Sequence, residues 1–498
     1  MVHKIFSASI IGLNAFLVEI EADQGCGEFG QIKIVGLPDI AISESQERVR
    51  SAIKNSGYEA PRRKITVNLA PSNLKKRGTQ YDLPIALAIL GLKNKIKIKP
   101  RKIFAIGELS LSGDTKSIQS ILPLVILAAK SGFTEIFIPE KNFEEASLVK
   151  GLKIFPISSL KQLADFLFKE KTLVSKKSLG PKLEKKLANQ EVWQKIHGQN
   201  QAKRAAEISL AGGHHLLMIG PPGTGKTMIA KAMSLSLPNN TIQKSLEIAS
   251  IKSICGFTNN QEPSFFQGVF RSVHHSSSEL AILGGGKKMR PGEISLCHYG
   301  LLFLDEFSEF SKKTINALRQ PMEEEKILVS HAEESYYFPC SFILVAATNP
   351  CPCGYFGDEK KSCHCRPSQI NNYQHKISGP ILDRFDFQIH LTSNNSSCPE
   401  NYLPSIERIE RAREIQEKRG FLNGRCPENL LATITPKKEP EKLFFQQAVS
   451  KLLCSERSKK KIIKIARTIA DLDGIEEITI FHLTEAISLR SDDTICYN

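Results

Sequence analysis

HLLMIGPPGTGKTMIAKAMSLSL (215–237) decides the fold. It opens with a continuous apolar run of strand type, passes through a glycine-rich turn, and continues into a run of helix-forming residues. Residues Gly220–Thr227 match the spacing G-x-x-x-x-G-K-[ST], and the strand, loop and helix order is the context that gives this spacing its meaning. In the turn formed by Gly220, Pro221, Pro222, Gly223, Thr224 and Gly225, the glycines let successive backbone N–H groups curl around phosphate oxygens at a helix N-terminus. Lys226 then reaches the β and γ phosphates, and Thr227 offers its hydroxyl to Mg²⁺. The implied cofactors are ATP and Mg²⁺.

Two further apolar runs, LLFLDE (301–306) and FILVAATN (342–349), have the composition of strands covered on both faces, so a largely parallel sheet is expected. The first ends in two carboxylates. Asp305 is placed to hold the hydrated Mg²⁺, and Glu306 to polarise an attacking water as general base. Asn349 ends the second run, where it orients the same water or simply caps the chain before Pro350. Phosphoryl transfer also needs a cation for the charge spreading over the γ-phosphate. Arg384 in ILDRFDFQI (381–389) and Arg457 in SER (455–457) are candidates for delivery from a neighbouring subunit; each is alternatively a surface ion pair.

At 498 residues the chain exceeds one hydrophobic core. Strand-like and helix-like stretches alternate over residues 1–170, which reads as one α/β domain; residues 171–195 form a basic linker, residues 196–392 the nucleotide-binding core, and residues 393–498 a helical C-terminal domain. Apolar residues make up 41% and charged residues 24%, the balance of ordinary folded domains. No apolar run reaches the length of a membrane span, and the N-terminus reads as a first strand instead of a signal peptide. The net charge of +15 favours a polyanionic partner, with a solvated basic surface as the alternative.

Of twelve cysteines, eight are scattered and four cluster in NPCPCGYFGDEKKSCHC (349–365). This usage points to a reducing, cytoplasmic setting and away from a disulfide framework. Cys351, Cys353, Cys363 and Cys365 form two C-x-C pairs able to bring four sulfurs around a structural Zn²⁺, with His364 able to replace one thiol. Reduced free thiols and redox switching are the alternatives.

The residues resemble a known family, the magnesium-chelatase-like AAA+ ATPases, and within it the ComM/YifB proteins. Beside the nucleotide motifs, the resemblance rests on IVGLPDIAISESQERVRSAIKNSG (34–57), ITVNLAPSNLKKRGTQYDLPIALAIL (65–90), FRSVHHSSS (270–278), LGGGKKMRPGEISLCHYGLLFLDEF (283–307), LRQPMEEE (318–325), NPCPCGYFGD (349–358) and ARTIADLDG (466–474). It implies an α/β multidomain chain with a Lon-protease-like N-terminal domain, an AAA+ P-loop parallel-sheet core and a helical C-terminal lid. It further implies a hexameric ring with ATP at subunit interfaces, Arg384 as a finger acting in trans, Asn349 as first sensor, Arg457 as second sensor, and Ile196–Gln199 near the adenine. The family's members look like DNA branch-migration helicases that support homologous recombination and natural transformation. Two hairpins would face the ring pore, around residues 256–296 and 326–341.

Two features set this chain apart. His331 stands where relatives carry an arginine in the second hairpin, and its tip EESYY is acidic, which directs DNA contacts to Lys287, Lys288 and Arg290 of the first hairpin; solvated turn lysines are the alternative. In the Lon-like domain, Tyr81 or a neighbour stands at the position of the serine nucleophile and Leu122 at that of the lysine, so no proteolysis is expected. His274 and His275, read as strand neighbours, point to opposite faces and are expected not to share an ion. The competing functions are a chelatase-type ATPase that remodels a metal-insertion partner and an ATP-dependent protease.

Overall fold

The computed structural model describes residues 4–25, 31–94, 102–178, 180–181, 191–257, 265–286, 289–331, 334–393, 402–452 and 455–491. The chain forms two compact units, Met1–Leu183 with Ile242–Phe265, and Glu184–Thr241 with Phe266–Asn498.

The first unit is built on an eight-stranded mixed sheet. Its centre is the antiparallel hairpin of Lys4–Ile11 and Asn14–Gln24, turned at Gly12, whose φ of 63° suits glycine. Alternation along the strands divides the apolar residues between two faces. Ile103, Ala105, Phe137 and Phe155 join one core with the helix Asp82–Lys93. Phe104, Ile136 and Ile154 join another with the helix Ile121–Lys130. The helix Asp82–Lys93 is buried on nearly every side, which its unbroken apolar sequence DLPIALAILGL already implied. The helix Ile242–Cys255 belongs to this unit as well. Ala249 and Leu246 pack into the second core, and the Ser120 hydroxyl donates to the Ser253 carbonyl at 3.3 Å. Tyr81 and Leu122 are fully buried.

One carboxylate ties the edge of this unit together. Asp165 accepts from the Tyr58 hydroxyl at 2.8 Å and pairs with Lys169 at 2.9 Å and Lys171 at 2.7 Å. Burial alone raises the pKa of Asp165, but hydrogen bonds from Lys171, Lys169 and Tyr58 outweigh it and hold the carboxyl well below its usual range. A depressed folded-state value stabilises the fold fully above the unfolded pKa of about 4, and that contribution is lost as pH falls through the folded value. Asp165→Asn is therefore expected to lower stability by about 1–3 kcal/mol at pH 7, and the gap to wild type closes below about pH 4. Urea unfolding followed by circular dichroism at several pH values measures both effects.

The second unit carries a five-stranded parallel sheet in the order Phe270–Val273, Gly300–Leu304, Phe342–Thr348, Leu216–Ile219, Phe387–His390. Ile219 stands beside Thr348 and His390, and Leu304 beside Ala346. Parallel pairing thus brings Gly220, Asp305 and Asn349 out together at the C-terminal end of the sheet. The C-terminal helices share a core with these strands: Ile409, Ile462, Ile465, Ile469, Leu483 and Leu489 pack in one cluster with Leu216, Phe303, Val345 and Phe387. The helix Ile406–Arg419 starts on a Ser405 cap and the helix Glu456–Asp473 on a Ser455 cap. They end at Gly420 and Gly474, both at positive φ. No helix among the described residues is long and apolar enough to cross a membrane.

Two antiparallel hairpins project from this unit, Gly284–Gly285 with Arg290–Pro291 and Lys326–His331 with Glu334–Pro339. The first is narrower than the span 256–296 read from the sequence, because Phe270–Val273 is a strand of the central sheet and, among the described residues of that span, Gly284 and Gly285 pair with Pro291 and Arg290 as a hairpin. Lys287 and Lys288 lie outside the described residues, whereas Arg290 is exposed on its strand.

Candidate nucleotide site

The loop Gly220–Gly225 joins the strand Leu216–Ile219 to the helix Lys226–Leu235. Gly223 and Gly225 adopt φ of 83° and 93°, so the loop needs glycine for its backbone conformation. At Gly220 the reason is space, since a Cβ would come within 2.6 Å of the Leu391 carbonyl oxygen. The Thr224 hydroxyl donates to the Pro221 carbonyl at 2.9 Å.

Lys226 is buried, and its ammonium donates to the carbonyls of Gly220 at 2.6 Å and Pro221 at 2.9 Å and to Asn349 Oδ1 at 3.2 Å. Burial pulls its pKa down to about 8, with Asp305 opposing. The Thr227 hydroxyl donates to Asp305 Oδ2 at 3.0 Å, and the other oxygen of Asp305 accepts from the Glu306 N–H at 3.0 Å. Asn349 therefore touches Lys226 directly. The arrangement offers a desolvated cation, backbone donors and two oxygen ligands at one helix N-terminus, which suits a triphosphate with a hard divalent cation.

Glu306 is exposed, sits at φ 52°, and approaches His275 Nδ1 at 3.0 Å without the alignment of a hydrogen bond. This corrects the expectation for the two histidines. The strand ends at Val273, so His274 and His275 leave regular β geometry and their ring centroids lie 4.0 Å apart. One ligand atom from each of His274, His275 and Glu306 lies within 4.8 Å of the others.

The four cysteines also come together, with one sulfur from each of Cys351, Cys353, Cys363 and Cys365 within 4.8 Å of the rest. Cys351 and Cys353 are 3.4 Å apart, Cys353 and Cys363 3.5 Å, and Cys351 and Cys363 3.7 Å. Backbone N–H groups of Tyr355 and His364 lower the Cys353 pKa to about 6. Cys363 is pushed up to about 12.

Within the chain, Arg384 and Arg457 both pair with Glu323. Ile196 is buried, and Gln199 donates to the Thr392 carbonyl at 2.8 Å. Sequence reasoning overlooked three participants: Glu323, His275 as the neighbour of Glu306, and Gly354. Gly354 sits in the cysteine loop at φ 87°, and a Cβ there would lie 2.7 Å from Pro222 Cδ of the phosphate loop.

A five-stranded parallel sheet in this order, with the glycine loop, acidic pair and polar strand end at its C-terminal end, defines an AAA+ P-loop core. Family models described as "Magnesium chelatase, subunit ChlI", "Subunit ChlI of Mg-chelatase" and "Magnesium chelatase, subunit ChlI C-terminal" match residues 192–398, 18–142 and 404–490. The chain is 37% identical over 503 residues to the competence protein ComM of Haemophilus influenzae, covering 98% of this chain and 97% of that one. It is 37% identical over 501 residues to the protein YifB of Escherichia coli, covering 99% and 97%. A Lon protease of Leptospira interrogans is 28% identical over 152 residues, 29% of this chain and 18% of the protease. The chain belongs to the ComM/YifB family of magnesium-chelatase-like AAA+ ATPases.

The contact of Gly354 with Pro222 makes the cysteine loop a support for the phosphate loop. Gly354→Ala is expected to weaken ATP binding about five- to tenfold, through a strained φ and displacement of Pro222. Titration of the purified chain with a fluorescent ATP analogue measures it.

Proposed function

We propose that this chain is a cytoplasmic, ATP-driven motor that moves on branched or single-stranded DNA as a hexamer, a branch-migration helicase serving homologous recombination and natural transformation. The observation that carries the proposal is the convergence of Lys226, Thr227, Asp305, Glu306 and Asn349 at the C-terminal end of the sheet, in a chain matching a competence protein over nearly its whole length. The net charge of +15 supports a polyanionic track.

In this reading the loop Gly220–Gly225 binds the phosphates through its N–H groups, and Lys226 exchanges its carbonyl partners for β and γ oxygens. Thr227 and Asp305 would hold Mg²⁺, for which their paired oxygens are a fitting hard-ligand set; when bound, it neutralises phosphate charge. Glu306 accepts the proton of the attacking water once it leaves His275, and Asn349 orients that water. Arg384 and Arg457 supply positive charge to the nucleotide of a neighbouring subunit. Lys287, Lys288 and Arg290 are the proposed DNA contacts, and the buried Tyr81 and Leu122 support a Lon-like unit without proteolysis.

Lys226→Ala is expected to abolish ATP binding, and Glu306→Gln to lower kcat by about 10²-fold or more while ATP still binds. Resolution of a synthetic four-way junction by wild type with ATP, lost in both variants, completes the test. No DNA binding at low salt would remove the DNA motor. Stimulation of hydrolysis by a metal-insertion partner instead of DNA would favour the chelatase-type reading that the family descriptions suggest.

The cysteine cluster is proposed as a structural Zn²⁺ site. Four thiolates at about 2.3 Å from zinc form a tetrahedron with edges of about 3.8 Å, and three of the sulfur separations here are 3.4–3.7 Å. Held this way, the loop from Asn349 to Cys365 would brace the phosphate loop through Gly354. Protein purified without chelators is expected to carry about one zinc per chain, lost after Cys351→Ser with Cys353→Ser. Elemental analysis reading below about 0.2 per chain would overturn the site.

A further inference from the structure

Arg384 and Arg457 are distant in sequence yet share one carboxylate. Glu323, in the short helix Arg319–Glu324, gives Oε2 to Arg384 Nη2 at 2.9 Å and Oε1 to Arg457 Nη2. Each oxygen therefore serves one guanidinium, and the two cations lie on the two lobes of a single anion. Arg384 is well sheltered, with 13% of its side chain exposed and a second bond to the Pro380 carbonyl, whereas Glu323 and Arg457 are 43% and 42% exposed. Arg457 is the second residue of the helix Glu456–Asp473, where a cation faces the positive end of the helix dipole. Helix stability does not call for an arginine there.

A second link fixes the same two elements side by side. One turn beyond Arg457, the Lys461 ammonium donates to the Phe385 carbonyl at 2.7 Å and pairs with Asp386 at 3.3 Å. The start of the helix and the segment Arg384–Asp386 are thus stitched at two points, the buried one through Lys461 and the half-exposed one through Glu323. The partly exposed triad of two guanidiniums and one carboxylate keeps a net positive charge, so it still attracts an anion while its members hold each other's positions.

We propose that Glu323 is a positioning residue that joins Arg384 and Arg457 into one two-guanidinium clamp for the terminal phosphate of a nucleotide bound by a second copy of this chain. The inference rests on the reading of both arginines as acting in trans. Glu323 orders two flexible, mutually repelling cations before the phosphate arrives, so less ordering remains to be done during the reaction. Its effect falls on turnover and leaves the cis phosphate loop untouched.

Steady-state ATP hydrolysis by the full chain at assembly concentrations, with single-stranded DNA present, tests this. Glu323→Gln is expected to lower kcat about tenfold with KM for ATP within about twofold, and to add nothing to the loss caused by Arg384→Ala. Glu323→Asp, which keeps the charge, is expected to recover about a third of wild-type kcat, and Glu323→Ala none of the loss. If Arg384→Ala and Arg457→Ala themselves leave kcat unchanged, the trans reading fails and the clamp with it. If those variants lower kcat while Glu323→Gln does not, or if the Glu323 and Arg384 losses multiply, the clamp alone is overturned. Should Glu323→Gln lose its thermal transition, the comparison of Glu323→Asp with Arg384→Ala decides by the same criteria.

Discussion

Parallel register in the five-stranded sheet is the constraint on which the site depends. Every strand in a parallel sheet ends on the same side, so chain segments far apart in sequence emerge together: Lys226 meets Asn349 across a separation of 123 residues, and Thr227 meets Asp305 across 78. The hydrophobic residues that cover both faces, from Leu216 to Phe387 and from the C-terminal helices, keep that register from slipping. The polar groups at that end then need little further support. A buried Lys226 with carbonyl partners is held in a state that a phosphate improves, since an anion compensates a desolvated cation better than neutral dipoles do.

Other groups of this unit have close partners within the chain. Glu306 lies against His275, Arg384 and Arg457 share Glu323, and the cysteine loop rests Gly354 on Pro222. These contacts have a common character. Each one gives a charged or close-packed group a partner within the same chain. Being partly exposed, the ion pairs contribute little to stability, which leaves them free to exchange.

The two units differ in how they bury polar groups. In the first, Asp165 is surrounded by Tyr58, Lys169 and Lys171, and the sheet is filled on both faces by separate apolar cores. In the second, Lys226 is buried at the C-terminal end of the sheet against loop carbonyls and Asn349, whereas Asp386 is buried at the other end of the strands, where it pairs with Lys461 of the helix Glu456–Asp473.

The sequence by itself determined the phosphate loop, the acidic pair and the C-x-C pairs, because each is a local pattern in which residue type, spacing and flanking strand or helix carry the chemistry. Only the tertiary structure decided that Glu323 serves Arg384 and Arg457, across 61 and 134 residues, since a glutamate in a short helix has no local pattern that names its partner. The same holds for His274 and His275, whose facing depends on where a strand stops, a boundary that sheet pairing sets. It holds for the helix Ile242–Cys255, which packs with the N-terminal unit although its sequence neighbours build the nucleotide core. Contacts of this kind arise from packing between distant segments, and apolar periodicity shows that a face is buried without saying against what.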